Sequence, residues 1–182
     1  MFIKGECREP ISRPRLFMKK TILIVLSIGS LLWLVYSVIL APYLLVEYEN
    51  SVLLRIPVKA GDQFSLRYTH SVQKTLVIEN IVIEQTGQLL VDSTEYESFG
   101  VGLPFLASEG KFHQSGNRFI LEDIGRYCEM IRLRTGPEAQ LKMQYQDHTY
   151  ELFRLVPDGA LIQMSVVPYY SIWLKQSAIE WR

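Results

Sequence analysis

The sequence predicts a mainly β protein, with an antiparallel β-sandwich or barrel ectodomain behind a single N-terminal transmembrane helix. Two observations predict this fold. Thr21–Ala41 runs for 21 residues without a charged side chain, and a helix of that length spans roughly 30 Å, the thickness of the hydrocarbon core of a bilayer. From Ser51 onward, short runs of alternating apolar and polar residues are separated by turn residues, which is typical of antiparallel strands.

The charges before the apolar segment indicate its orientation. Residues 1–20 hold six basic and two acidic side chains, and Lys and Arg beside a membrane-spanning helix are retained on the cytoplasmic side. We therefore expect one crossing of the cytoplasmic membrane, with a cytoplasmic tail over 1–20, an anchor in the lipid bilayer over 21–41 and an extracytoplasmic β domain over 42–182. That domain would lie in the periplasm or at the cell surface. Met18, followed by two lysines, is an alternative first residue to Met1.

A cleaved signal peptide is the alternative to an anchor. Signal peptides carry a shorter apolar region that ends in a small-x-small cleavage site, whereas here Ile39 stands where a small residue is needed. Trp33, Tyr36, Tyr43 and Tyr48 suit the outer interface of a membrane. The sequence therefore favours an uncleaved anchor.

Composition excludes one class of partner. Subtracting the charges of the first twenty residues from the totals of 19 basic and 19 acidic side chains leaves 13 basic and 17 acidic ones. A mildly acidic domain argues against nucleic acid as a partner, because proteins that bind nucleic acid present a basic face to the phosphates.

The chain has two cysteines. With the expected orientation, Cys7 and Cys128 lie on opposite sides of the membrane and cannot pair. Cys128 is predicted to be a small buried apolar residue.

Nine or so short strands are expected after the anchor, and no second domain boundary is visible. The segments Leu76–Gln85 and Leu89–Tyr96 indicate a hairpin, Ser108–Asn117 is predicted to be an exposed excursion, and Tyr169–Arg182 is either a short helix or a last strand. The other expected strands are Ser51–Val58, Gln63–Ser71, Arg118–Ile124, Cys128–Arg134, Gln140–Tyr145, Thr149–Leu155 and Leu161–Val167.

The densest cluster of functional groups runs from Tyr68 to Lys74, with Glu79 close behind. A histidine next to a serine, with a carboxylate nearby, suggests a hydrolase. However, neighbours in a strand point to opposite faces, so the His70 ring and the Ser71 hydroxyl should diverge. A packed histidine that satisfies a buried polar group is therefore the preferred interpretation.

A second cluster contains Gly100, Gly102 and Pro104. The two glycines form only half of a dinucleotide-binding fingerprint, and they are better explained by a tight loop. The three histidines, His70, His113 and His148, show no metal-ligand spacing. We therefore expect no metal site and no cofactor, and we assign no catalytic residue.

The two clusters together resemble domain-of-unknown-function family eighteen-fifty. The matching motifs are Tyr68-Thr69-His70-Ser71-Val72 with Lys74 and Glu79, and Ser98-Phe99-Gly100-x-Gly102-Leu103-Pro104. The resemblance covers roughly Gln63 to Val167. This sequence departs from the family pattern at two positions: many members carry an acidic residue where Gln73 stands, and proline is common where Leu76 stands. Members are small exported or membrane-anchored proteins, often encoded beside the permease and the substrate-binding protein of TAXI-type TRAP transporters. The resemblance implies that context and no established activity.

Three functions follow as hypotheses, and an enzyme is not the favoured one. The first is a non-enzymatic accessory protein of a TAXI-type TRAP solute transporter, with its permease or substrate-binding protein as partner. The second is an extracytoplasmic domain that binds or senses a small solute. The third is a hydrolase in which His70 acts as the base, assisted by Glu79 or Ser71.

Overall fold

The computed structural model describes residues 14–97 and 110–179, with side chains described for 18–97 and 110–175. The chain divides into two compact units, Met1–Leu40 and Ala41–Arg182. In the first unit, helix α1 spans Pro14–Ile39, and its segment Met18–Ile39 is long and apolar enough to cross a membrane as an anchor or a signal sequence. Proline suits the first position of a helix because the missing N–H has no partner there.

The polar side chains within α1 are satisfied locally. The hydroxyls of Ser27, Ser30 and Ser37 each donate a hydrogen bond to the carbonyl three residues earlier, at 2.8, 2.9 and 2.8 Å. Such bonds allow serine to be accommodated where water is absent. The helix ends two residues before Ala41, because the following Pro42 disfavours helical geometry in the residue before it.

The second unit contains twelve strands among its described residues. The strands are β1 Pro42–Tyr48, β2 Ser51–Pro57, β3 Gln63–Thr69, β4 Leu76–Ile83, β5 Leu89–Tyr96, β6 Lys111–Ser115, β7 Arg118–Glu122, β8 Arg126–Cys128, β9 Ile131–Arg134, β10 Lys142–Tyr145, β11 His148–Tyr150 and β12 Leu161–Pro168. A 3-10 helix spans Leu152–Arg154, and helix α2 spans Tyr169–Ile179.

These strands form two sheets, and every strand pair is antiparallel. The small sheet has the order β2-β1-β12-β9, and the large sheet has the order β11-β10-β3-β4-β5-β7-β6, with β8 paired to β5. The main core takes buried side chains from both sheets, such as Leu44 and Met164 from the small sheet and Leu66 and Ile81 from the large one. The predicted mainly β fold is therefore confirmed, and it is sandwich-like.

The first strand is the main difference from the prediction. We expected strands only from Ser51, with Tyr43 and Tyr48 at the membrane interface, but β1 already begins at Pro42 and lies inside the small sheet. Leu44, Leu45 and Val46 are all buried, so both faces of this strand are covered. A strand that is covered on both faces shows no alternation, which removes the signal by which strands are recognised.

Several smaller predictions can be compared directly. The hairpin of β4 and β5 is confirmed, and the undecided tail is a helix over Tyr169–Ile179. The excursion predicted over Ser108–Asn117 contains the exposed strand β6. The expected strand Cys128–Arg134 is divided between the two sheets, and Cys128 is half-buried and not fully buried.

Candidate functional site

The loop between β3 and β4 carries the first part of the motif. His70 follows the last residue of β3, and its N–H donates to the carbonyl oxygen of Thr75 at 2.8 Å, while the N–H of Lys74 donates to the His70 carbonyl oxygen at 2.9 Å. Lys74 closes the loop with a φ of 55°, a left-handed conformation that ends many hairpin loops. The backbone of this loop is therefore well hydrogen-bonded.

The His70 side chain also holds the loop. His70 is 9% exposed. Its Nδ1 atom accepts hydrogen bonds from the N–H of Val72 at 3.3 Å and from the N–H of Gln73 at 3.2 Å. A ring nitrogen that accepts hydrogen bonds carries no proton, so the neutral ring has its proton on Nε2. The neighbouring Ser71 is exposed, and both residues lie in the loop after β3 and not in the strand that was expected to reach Ser71.

Tyr68 and Glu79 form a second contact on the core face of the large sheet. Leu66 pairs with Glu79, and Tyr68 pairs with Val77, so Tyr68 and Glu79 are diagonal neighbours on one face. The Tyr68 hydroxyl donates to Oε1 of Glu79 at 3.3 Å. The carboxyl group is therefore held by a hydrogen bond inside the sandwich.

Burial dominates the titration of this pair. Desolvation raises the pKa of the Glu79 carboxyl, and the charge of Arg126 and the hydrogen bond from Tyr68 lower it by smaller amounts. Desolvation and the nearby Glu79 also raise the pKa of the Tyr68 hydroxyl. Tyr68 therefore stays protonated and remains the donor at any physiological pH.

An open cavity of about 630 Å³ lies next to these residues. We call it the end groove, and its lining residues are Tyr68, Thr69, His70, Ser71, Arg134, Thr135, Gly136, Pro137, Glu138, Ala139 and Gly159. The β3–β4 loop forms one wall, and the connection between β9 and β10 forms the other. The two walls are joined by the ion pair of Lys74 with Glu138 and by the N–H of Thr69, which donates to the Ala139 carbonyl oxygen at 2.7 Å.

The end groove contains a buried polar atom with unused bonding capacity. Thr135 is only 3% exposed, and its Oγ1 atom has no hydrogen-bond partner among the described residues. Beside it, Arg134 donates from NH1 to the Gly159 carbonyl oxygen at 2.9 Å and remains exposed. The lining of the groove thus includes an exposed cation and, in Thr135, a buried hydroxyl without a partner.

The groove lies at one end of the sandwich. Arg134 pairs with Leu161 at the start of β12, whereas Pro42 pairs with Pro168 at the end of the same strand. A strand of eight residues is roughly 25 Å long at ~3.3 Å per residue. The end groove is therefore about one strand length from the residue at which the domain begins.

The structure brings together part of the predicted site. Tyr68, His70 and Ser71 line the end groove, Lys74 joins its two walls, and Glu79 lies behind Tyr68. The predicted residues Gly100, Gly102 and Pro104 lie outside the described residues. Within the described residues, no three His, Cys, Asp or Glu side chains are grouped to hold a metal ion.

Sequence reasoning missed the second wall of the groove. In the sequence, Thr135, Gly136 and Pro137 have only the composition of a turn, and Arg134 and Glu138 beside them carry no motif. They lie more than sixty positions after His70 in the chain, and their register against β12 brings them to the groove. No local pattern encodes that approach, although a Thr-Gly-Pro turn beside an arginine is a combination worth testing in such sequences.

Comparison with known proteins supports the resemblance. Residues 64–152 match the sequence model of a family described as Domain of unknown function (DUF1850). The matched range runs from β3 to the 3-10 helix and includes both walls of the end groove. No curated protein and no solved structure was found to match the chain.

Proposed function

We propose that this protein is a membrane-anchored, extracytoplasmic accessory protein of a TAXI-type TRAP solute transporter, and that it acts by binding a transporter component at the end groove. The observation that carries the proposal is the groove itself, an open cavity of about 630 Å³ whose lining includes Tyr68, His70 and Ser71 of the motif. The motif therefore builds a surface for contact.

The anchor supports a role at a membrane. The segment Met18–Ile39 has a mean hydropathy of 2.5, and its large side chains are exposed within the first unit. With six basic residues in positions 1–20, the proposed orientation has the N-terminus in the cytoplasm and the sandwich outside. Confinement to the bilayer raises the local concentration of a membrane partner without any further contact.

The hydrogen bonds of the motif favour binding over catalysis. Nδ1 of His70 already accepts two backbone N–H groups, so its use as a base would cost the loop these two hydrogen bonds. Glu79 is turned into the sandwich against Tyr68. A general base must reach the proton that it removes, and these contacts favour a structural role for both groups.

Co-purification tests the proposal. The tagged full-length protein is extracted from native membranes in mild detergent, and co-purifying proteins are identified by mass spectrometry. We expect a TRAP permease or its substrate-binding protein to be retained. Arg134→Glu should reduce that retention, whereas Arg132→Glu should not, because both arginines are exposed on β9 and only Arg134 lines the groove. Wild-type protein that retains no transporter component would overturn the proposal.

The orientation is tested separately. With Cys7 and Cys128 replaced by serine, Val72→Cys places one thiol on the exposed β3–β4 loop, where Val72 is 64% exposed. A maleimide that cannot cross membranes should label this thiol in intact spheroplasts. Labelling only after the cells are broken would place the sandwich in the cytoplasm and contradict the proposed localisation.

A solute-binding or sensor domain is the second candidate, and Thr135 favours it. Thr135 lines the groove, and its buried hydroxyl has no partner among the described residues, so a ligand toward which this side chain turns would supply the missing hydrogen bond. A thermal-shift screen with dicarboxylates, amino acids and divalent cations tests this function. A true ligand at a hundredfold excess over its Kd should stabilise the protein by ~2.7 kcal/mol, and Thr135→Val should weaken the shift. No shift with any compound would remove this candidate.

A further inference from the structure

Helix α2 begins beside the residue at which the chain leaves the apolar segment. The N–H of Tyr169 donates to the carbonyl oxygen of Ala41 at 2.9 Å, and Pro42 pairs with Pro168. Ala41 comes two residues after Ile39, the last residue of α1. When α1 spans a bilayer, two residues reach at most ~7 Å. The start of α2 is then held at the level of the membrane interface.

One side of α2 is fixed to the outer face of the small sheet. Tyr43 and Glu47 lie on the same face of β1, and each contacts the helix: the rings of Tyr43 and Tyr169 are 5.5 Å apart, and Lys175 binds Glu47. Leu45, between them on that face, is fully buried, as is Ile172 of the helix. The rotation of α2 about its own axis is therefore defined.

The part of α2 that lies away from Ile172 and Lys175 is apolar and exposed, with Tyr169 at its edge beside Tyr43. We call Tyr169, Tyr170, Trp173 and Leu174 the aromatic face. These four residues are 42 to 64% exposed. At about 100° per residue they occupy a sector of roughly 140°, and the sector of Ile172 and Lys175 is opposite. Three of these four side chains are aromatic, and two of them carry a hydroxyl.

We propose that the aromatic face lies in the interface of the lipid bilayer, so that the domain is attached to the membrane by α2 as well as by α1. Tyr and Trp prefer this environment because their apolar rings enter the acyl region while their polar groups stay hydrated. A helix that lies in the plane of the interface is a known mode of attachment. The proposal rests on the anchoring part of the proposed function and is independent of the transporter.

Fluorescence quenching in liposomes tests the proposal with the full chain. Three single-tryptophan proteins are needed. One keeps Trp33, one keeps Trp173, and the third carries Val72→Trp in a background without the natural tryptophans. Val72 is the matched control, since it is 64% exposed, as is Trp173, and lies in the loop at the end groove. The proteins are reconstituted at high lipid-to-protein ratio into phosphatidylcholine vesicles with acyl chains brominated near the headgroup.

We expect bromolipid to quench Trp173 and to shift its emission to the blue, and to leave the tryptophan at position 72 unchanged. Quenching of Trp33 reports the anchor separately. If Trp33 is not quenched, the anchor and the proposed function fail together. If Trp33 is quenched and Trp173 is not, only the present proposal is overturned. Trp173 could also be shielded from aqueous iodide and yet be insensitive to bromolipid. In that case a second copy of the chain or another protein covers the aromatic face, and the present proposal is overturned.

Discussion

The ammonium group of Lys175 lies 2.8 Å from one carboxylate oxygen of Glu47 and 2.9 Å from the other. This pair joins α2 to β1, the last described helix to the first strand. The Glu47 carboxylate is nearly buried, whereas about half of the Lys175 side chain is exposed. The ion pair therefore compensates a charge that the sandwich would otherwise bury alone.

Removing the lysine should destabilise the domain. Lys175→Met leaves the Glu47 carboxylate buried without its partner, and we expect a loss of about 1–2 kcal/mol in unfolding free energy, less than for a fully buried pair because Lys175 is half exposed. Denaturant unfolding of the full-length protein in detergent measures it. The double variant Glu47→Gln, Lys175→Met should recover part of the loss. Equal losses in the single and double variants would show that the charge is not the cause.

Replacement of His70 separates a structural from a catalytic role. His70→Ala removes the acceptor for the N–H groups of Val72 and Gln73, and we expect a loss of about 1–2 kcal/mol. His70→Asn should recover part of that stability, because a short side-chain carbonyl can accept the same N–H groups. The measurement is the midpoint of thermal unfolding. A hydrolase predicts the reverse, namely an unchanged midpoint and the loss of a turnover.

The partly buried Glu79 should make stability depend on pH. Its pKa is raised in the folded state, so above the ordinary pKa of glutamate the folded form keeps a proton that the unfolded form has lost. Stability therefore falls as the pH rises from the ordinary pKa through the raised one, and it levels off above it. Glu79→Gln should lack this decline, which unfolding midpoints across a pH series measure.

Tyr68→Phe provides an independent check on Glu79. The hydrogen bond from Tyr68 lowers the pKa of the Glu79 carboxyl, so its removal should move the decline in stability to higher pH. The same series of unfolding midpoints detects the shift. A decline that stays in place in Tyr68→Phe, or persists in Glu79→Gln, would assign it to another group.

Gly110 precedes β6 at a close approach of two backbone segments. A Cβ atom at this position would come within 2.3 Å of the Glu122 carbonyl oxygen, so the backbone must move to accept any side chain. We expect Gly110→Ala to cost about 1–3 kcal/mol, the usual range for overpacking. Gly136→Ala is the control, since its Cβ would meet nothing closer than 3.6 Å. Equal unfolding midpoints for the two variants would contradict this prediction.

The sequence predicted those strands well that have one face exposed to solvent. The expected strand Gln63–Ser71 contains β3, in which Phe64 and Leu66 are buried and Gln63 is exposed, and the expected hairpin is the pair of β4 and β5. Alternation failed at β1, where Leu45 is buried on the face that carries α2. Periodicity reports exposure, so a strand that is covered on both sides resembles any other apolar run.

Only one of the two walls of the end groove could be predicted from the sequence, and the reason is a different one. Tyr68, His70 and Glu79 are close in the chain, and Tyr68 and His70 both line the groove. Thr135 and Glu138 reach the groove through the pairing of β9 with β12 and of β10 with β3. Such pairings depend on the packing of two sheets, which no short window of sequence contains.

If α1 anchors the protein as proposed, the short connection before β1 restricts how the domain can be released from the membrane. β1 begins at Pro42, three residues after the end of α1, and it lies between β2 and β12. A protease that cuts at Leu40 or Ala41 would shed an intact sandwich, whereas a cut a few residues later would remove part of an interior strand. Soluble fragments intended for crystallisation should therefore begin no later than Ala41.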